Sequence, residues 1–294
     1  MSMIIQKPGK EAEMAQIDLH MHSYYSCDGQ YSPEALVKMA AQRGFKAIAL
    51  TDHNSVKGVP EFLAAGKKYG IQAIPGIEID TVYRSREYHI LGYHLDWDDP
   101  RLAQLTQAID NAQVELIKTM VRTVNELGYA ITYADVLRYT NQKSIPGFAS
   151  IAKAVLADKP GLDMDCFKFM QHYLAPNTPA DFLHKLPKAE EIIQLISELN
   201  GVPVLAHPGV YLDPNQIEAV QVLADLNNAG LKGIEAYSTY HKDADNHKFH
   251  QLGLDAGLLI TAGSDFHGEF KPSVALGQNC ATDYPVLQAL NHYA

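Results

Sequence analysis

The sequence predicts an α/β fold: a closed barrel of seven strands interleaved with helices and interrupted by a helical insertion. Three observations carry this. Short apolar runs of strand length alternate with glycine-stopped amphipathic segments over residues 17–79 and again over 189–262. Between those regions, from about 98 to 188, helical periodicity dominates. Nearly every strand run also ends in His, Asp or Glu, as expected where functional side chains gather at the C-terminal ends of barrel strands. The implied organisation is a mobile N-terminal tail over 1–14, a barrel over 15–98 and 188–294, and a helical insertion or cap over 99–187.

Taken in order, Ile17-Asp18-Leu19 is a short strand that runs into His20-Met21-His22 and a polar loop reaching Asp28-Gly29. Alternate strand residues share a face, so His20 and His22 point the same way. Ser32-Pro33-Glu34 is a helix start, and the helix stops at Arg43-Gly44. A buried-type strand over 47–50 ends in Thr51-Asp52-His53-Asn54. A helix over 59–69 stops at Gly70, and the strand over 72–79 carries Pro75-Gly76-Ile77-Glu78. The strand over 88–95 contains His89, with a basic turn, Arg84-Ser85-Arg86, between it and Glu78. The insertion opens with an amphipathic stretch over 102–127, then shorter helical segments near 133–139, 148–156 and 165–173. Helices over 189–199, 214–228 and 242–256 then alternate with strands over 202–206, 233–237 and 258–262. The first of these strands ends at His207-Pro208-Gly209, the last at Gly263-Ser264-Asp265-Phe266-His267-Gly268.

The bulk properties narrow the function classes. With 294 residues, 47% hydrophobic and 20% charged, the chain can bury a sizeable core. A formal net charge of -10 argues against broad binding to duplex nucleic acid or anionic membranes. No apolar run approaches a membrane span, and the N-terminus lacks a signal-peptide hydrophobic region. The three cysteines, Cys27, Cys166 and Cys280, are too few and scattered for a disulfide framework, which points to a reducing cytoplasm.

The chemistry resides in the strand ends. His20, His22, Asp28, His53, Glu78, His89, His207, Asp265 and His267 make six histidines and three carboxylates, all capable of binding metal. Each alone has a local explanation: a core histidine, a turn former, a helix cap. Nine together are too many for a single zinc-like ion, which takes about four ligands. They suit two or three divalent ions, with manganese, zinc or iron as candidates, a bridging carboxylate, and open positions for water and substrate.

The signatures HMH(x5)D, TDHN, PGIEI and AHPG…GSDFHG resemble the polymerase and histidinol phosphatase (PHP) family of metal-dependent phosphoesterases. The resemblance covers most of the chain beyond the first 15 residues. It is strongest to the branch acting on nucleoside 3′,5′-bisphosphates and short RNA 5′ ends. It implies a distorted (β/α)7 barrel holding two or three divalent metals. By similarity, His20, His22, Glu78 and Asp265 would form one site. Glu78 would bridge to a second with His89 and His207, and Asp28, His53 and His267 would form a third. Asp52 would orient a ligand histidine. His207, Asp265 and His267 are the candidates for protonating the leaving oxygen, and the sequence does not choose among them.

One segment departs from that branch. Its insertion carries an Arg-Pro-His-Ile-Ala type stretch, where this chain has Phe148-Ala149-Ser150-Ile151-Ala152. Candidate phosphate contacts in its place are Arg84, Arg86, Lys143 and Ser144. Tyr240 and His241, just beyond a strand end, are candidate pocket residues, and Cys27 is read as a plain loop residue. The expected substrate is a small phosphorylated compound, nucleotide-like or a short oligonucleotide. Three other readings stand beside it. An amidohydrolase barrel also begins with His-x-His but leaves Asp28, His53 and His267 unexplained. A histidinol-phosphate-like phosphatase fits the long insertion poorly, and a non-catalytic module would not need all nine ligand types.

Overall fold

The computed structural model describes residues 16–279 together with 287, 288 and 290; the expected tail over 1–14, Cys280 and His292 lie outside them. Seven strands form one sheet in chain order: β1 (Ile17–Asp18), β2 (Ala47–Leu50), β3 (Gln72–Tyr83), β4 (Arg86–Tyr93), β5 (Val202–Leu205), β6 (Gly233–Ser238) and β7 (Leu259–Gly263). The first three are mutually parallel, as are the last three, while β4 runs antiparallel to both neighbours. Beyond the strands proper, Leu19 N–H donates to Ala262 O at 3.2 Å and His22 N–H to Phe266 O at 3.0 Å. These bonds draw the first and last strands together into a nearly closed barrel. Its interior is filled by small and branched side chains, among them Leu19, Ala49, Ile74, Val204 and Ala206.

Helices α1 (Pro33–Gln42) and α2 (Val59–Tyr69) cover one flank, with Leu36, Val37, Ala40 and Phe62 packed against Ile48 and Leu50. Ser32 caps α1 by accepting from Ala35 N–H at 3.1 Å, and Gly70 ends α2 in the left-handed conformation. The region 99–187 is helical, as its periodicity predicts. Asp99 caps α3 (Pro100–Glu126), whose buried Leu102, Ile109, Leu116, Met120 and Val124 form a stripe at helical spacing. Then come α4 (Tyr133–Arg138), α5 (Phe148–Asp158) and α6 (Cys166–Phe169). Their buried side chains join the core that α7 (Ala189–Glu198) and α8 (Ile217–Asn228) share with the barrel. Helix α9 (Asp243–Asp255) packs on β6 and β7. No helix among the described residues is long and apolar enough to cross a membrane.

The structure differs from the sequence expectation most at β3 and β4. Both run on to a two-residue turn, so that 72–79 and 88–95 become arms of one long hairpin. Arg84 and Ser85 take φ of 47° and 61°, the left-handed pair that matches hairpin twist. His89 consequently sits mid-strand, directly opposite Asp80.

Candidate metal centre

Barrel topology brings the nine residues to one end. His20 and His22 follow β1, Asp28 lies further along the same loop, His53 follows β2, Glu78 and His89 face inward from the hairpin, His207 follows β5, and Asp265 and His267 follow β7. His207 and Asp265 have φ of 23° and 53°, strained for non-glycine residues and typical of positions the surroundings over-determine. Glu78 is the hub. Its Oε1 lies 2.9 Å from both His89 Nδ1 and His207 Nε2. Its Oε2 lies 3.1 Å from His20 Nε2, 3.2 Å from His22 Nε2 and 3.3 Å from His53 Nδ1.

Ligand atoms converge in overlapping sets: His20, His22, Glu78 and Asp265; His22, Asp28, His53 and His267; and His53, Glu78 and His89. The first is the group the resemblance implies; the second adds His22 to Asp28, His53 and His267, and the third holds His53 where the resemblance has His207. His207 joins Glu78 and His89 through Glu78 Oε1. Asp80, which sequence reasoning did not single out, forms a further set with Glu87 and His89.

Burial and mutual charge set the electrostatics of the cluster. Burial opposes charge on His20, His53 and His89, yet the surrounding carboxylates outweigh it and raise all three, His53 to about 9. Burial and the neighbouring His267 and His53 push His22 down to about 4, and burial also lowers His207. Despite burial, the histidines hold Asp28 and Glu78 well below the usual carboxylate range; Lys271, with His20 and His267, does the same for Asp265. Asp265 Oδ1, His267 Nε2, His53 Nδ1 and Asp80 Oδ1 are buried without a hydrogen-bond partner. Buried polar atoms normally find one. Converging orphaned nitrogen and oxygen atoms of this kind fit divalent ions.

Supporting residues escaped the sequence reading. Glu235, fully buried on β6, lies 3.0 Å from His20 Nδ1 through Oε1 and accepts His207 N–H at 2.9 Å through Oε2. That leaves His20 Nε2 free for an ion. Gly263 permits this approach: a Cβ there would collide with His20 and come within 2.7 Å of Glu235 Oε1. Asp18 accepts from Ser264 N–H and Oγ–H and from Gly277 N–H, pinning the loop that carries Asp265. Asp52 does not orient an imidazole. Its carboxylate accepts from Ser23 N–H at 2.5 Å and Ser23 Oγ–H at 2.7 Å, fixing the backbone just after His22. Burial pushes Asp52 up to about 7 despite those bonds.

Comparison with known proteins agrees with this geometry. A model of the PHP domain matches residues 18–145. A 3′,5′-nucleoside bisphosphate phosphatase from Chromobacterium violaceum is 31% identical over 254 residues, covering 86% of this chain and 88% of its own. The chain belongs to the PHP family. A phosphoribosyl 1,2-cyclic phosphate 1,2-diphosphodiesterase from Eggerthella lenta is 30% identical, over 86% of this chain and 94% of its own. A solved structure from Bifidobacterium adolescentis, described as a metal-dependent phosphoesterase, superposes with a TM-score of 0.83 at 25% identity, over 95% of this chain and 96% of the other. This PHP protein is therefore a hydrolase acting on phosphoester bonds, of a metal-dependent kind.

A cavity of about 160 Å³ opens beside the PHP centre. Asp28, His53, Asp80 and His89 line its barrel side, and Asp110, Leu116, Phe148, Met170 and Phe182 its helical side. Side chains of the region 99–187 thus form one wall, a roof, of this cavity. Of the candidate substrate contacts, Ser144 lines this cavity and its Oγ is buried without a partner. Tyr240 does not line this cavity; its ring lies 5.2 Å from that of His207. The others sit elsewhere. Arg84 and Arg86, at the hairpin tip, pair with Asp225 at 2.6 Å and Glu218 at 3.2 Å on α8. Lys143 is exposed and does not line the cavity. His241 is buried and serves the backbone: Nε2 accepts from Gly209 N–H, while Nδ1 faces Ala236 O and Asn246. Cys27 lines the cavity, but burial and then Asp28 push its thiol well up, which suits an inert residue.

Proposed function

We propose that this chain is a phosphatase releasing phosphate from a small nucleotide-like monoester, such as a nucleoside monophosphate or 3′,5′-bisphosphate, at a centre of two or three divalent ions. The observation that carries the reading is Glu78, whose two oxygens are shared among five histidines and so suit a bridging ligand. Ions bound there supply Lewis acidity toward phosphoryl oxygens and an acidified water at neutral pH. Manganese, zinc and iron all accept such a mixed imidazole and carboxylate set.

The chain's own residues do the rest. Glu235 holds His20 and the His207 backbone in register. The roof keeps bulk water from the cavity, where Phe148, Phe182 and Tyr25 provide apolar walls for a base or sugar. His207, Asp265 and His267 are the candidates for passing a proton to the leaving oxygen, and the Lys271 pairing counts against Asp265. The two relatives' substrates, a nucleoside bisphosphate and a phosphoribosyl cyclic phosphate, both carry a ribose phosphate, which supports this substrate class. Against the amidohydrolase reading, Asp28, His53 and His267 come together in one set instead of lying idle. The free Cys27 and Cys166 are consistent with work in the cytoplasm.

The test is phosphate release across nucleoside monophosphates, 3′,5′-bisphosphates and histidinol phosphate, with manganese added. Turnover of a nucleoside phosphate is expected. Turnover of histidinol phosphate alone, or of an N-acyl or lactone substrate and no phosphoester, would replace this reading.

A further inference from the structure

Lys271 is the one lysine or arginine buried in the interior among the described residues, at 5% exposure. Its ammonium donates to Asp265 Oδ2 at 2.6 Å and to Tyr240 Oη at 2.5 Å. The ring of Tyr240 lies 4.7 Å from Nζ and that of Phe167, in the roof, 5.7 Å. Lys271 N–H bonds Gly268 O at 3.2 Å, which ties the lysine to the turn just beyond His267. The lysine is thus fixed from its backbone, its stem and its tip. Burying an ammonium is costly unless it is paired, and its charged partner is a residue of the candidate metal centre.

Asp265 is divided by this arrangement. Oδ2 belongs to the lysine. Oδ1 faces the centre, 2.9 Å from His22 Nε2 and 3.3 Å from His20 Nε2, without a hydrogen bond of its own. Carboxylates bind divalent ions through either one oxygen or two, and a catalytic ion needs a position left open for water or substrate. We propose that Lys271 is a positioning residue that holds Asp265 to one-oxygen binding and so preserves an open position at the ion set of His20, His22, Glu78 and Asp265. This rests on the metal-centre reading but on no particular substrate. Without the ammonium, Oδ2 is a buried acceptor with no donor, and the nearest cation is the ion itself. The carboxylate then turns to chelate and occupies the open position.

The experiment compares wild type, K271M and K271R loaded with manganese. Exchangeable waters on the ion are counted by water-proton relaxation, beside metal stoichiometry and steady-state kinetics. In K271M the stoichiometry stays and the relaxation enhancement falls by the equivalent of one water. On any phosphoester turned over, kcat drops about 10- to 100-fold, the range for residues supporting metal ligands, with little change in KM. K271R, which keeps a donor pair for Oδ2, recovers the water. Wild-type relaxation in K271M overturns the proposal, as does loss of manganese from a folded K271M, because Lys271 would then serve affinity. Should K271M fail to fold, a manganese-loaded wild-type crystal structure decides. Oδ1 alone on the ion with Oδ2 on Nζ upholds the clamp, and both oxygens on the ion overturns it. The relaxation result holds whether or not a phosphoester is the substrate, so failure of the functional reading is separately visible.

Discussion

Replacing Glu235 with glutamine changes one oxygen to an amide nitrogen and tests how the centre is held. The wild-type carboxylate accepts at both ends, from His20 Nδ1–H at 3.0 Å and His207 N–H at 2.9 Å, and it is fully buried. An amide accepts at one end and donates at the other. If its oxygen serves His207, its NH2 faces His20 Nδ1 and can be satisfied only when that nitrogen is unprotonated. The imidazole proton then sits on Nε2, 3.1 Å from Glu78 and turned toward the ion set. If the amide is reversed, its NH2 opposes the His207 N–H, and a buried donor left unpaired costs about 1–3 kcal/mol. Either way, metal affinity at the His20 set should fall about 10- to 100-fold, or about 1.4–2.8 kcal/mol. Competition titration against a chelating dye measures the loss, and imidazole nitrogen NMR of the metal-loaded protein reports the His20 tautomer. E235Q binding metal with wild-type affinity would refute the reasoning, while the His20 tautomer tells which way the amide is turned.

Other outcomes follow from the same geometry. Glu78→Ala should lose bound metal and abolish activity, since five histidines lose their shared carboxylate; full activity and metal content would sink the bridging role. Protonated His53 cannot ligate, and its value near 9 means that metal uptake must displace a proton below that pH. Affinity of the Asp28, His53 and His267 set should therefore rise by up to about tenfold per pH unit from pH 6 to 8.5. Titrations of metal and released proton across that range check this, and a flat profile contradicts it. His22, already neutral above about 4, should add no such dependence there.

The candidate ligands outside the hairpin were legible because they sit just past strand ends, and a strand end can be recognised from its apolar run and the turn that follows; Glu78 and His89 instead lie within β3 and β4. What strand ends do not reveal is register. Glu235 lies inside a short apolar strand, and its partner His20 is 215 residues away. Nothing local distinguishes it from a surface glutamate on an edge strand. Lys271 reads as one more loop lysine until the fold closes around it. Arg84 and Arg86 show the opposite error. In sequence they stand between two ligands, but both strands run on past the expected ends and carry the turn away to α8. His241 follows a strand end as the ligands do, yet its ring nitrogens are taken up by Gly209 N–H, Ala236 O and Asn246.

That hairpin acts as a ruler. Glu78 and Asp80 share a face with Glu87 and His89 only because Asp80 stands opposite His89 and Glu78 opposite Leu91. The spacing is set by a turn of two residues, Arg84 and Ser85, six positions from Glu78 and so about 20 Å distant along the strand. Adding or deleting one residue there slips the pairing, and a slip of one step carries a strand's side chains to the opposite face. A surface turn with no chemistry of its own thus keeps time for the centre. Changes in its length, more than changes in its charge, should separate Glu78 from His89.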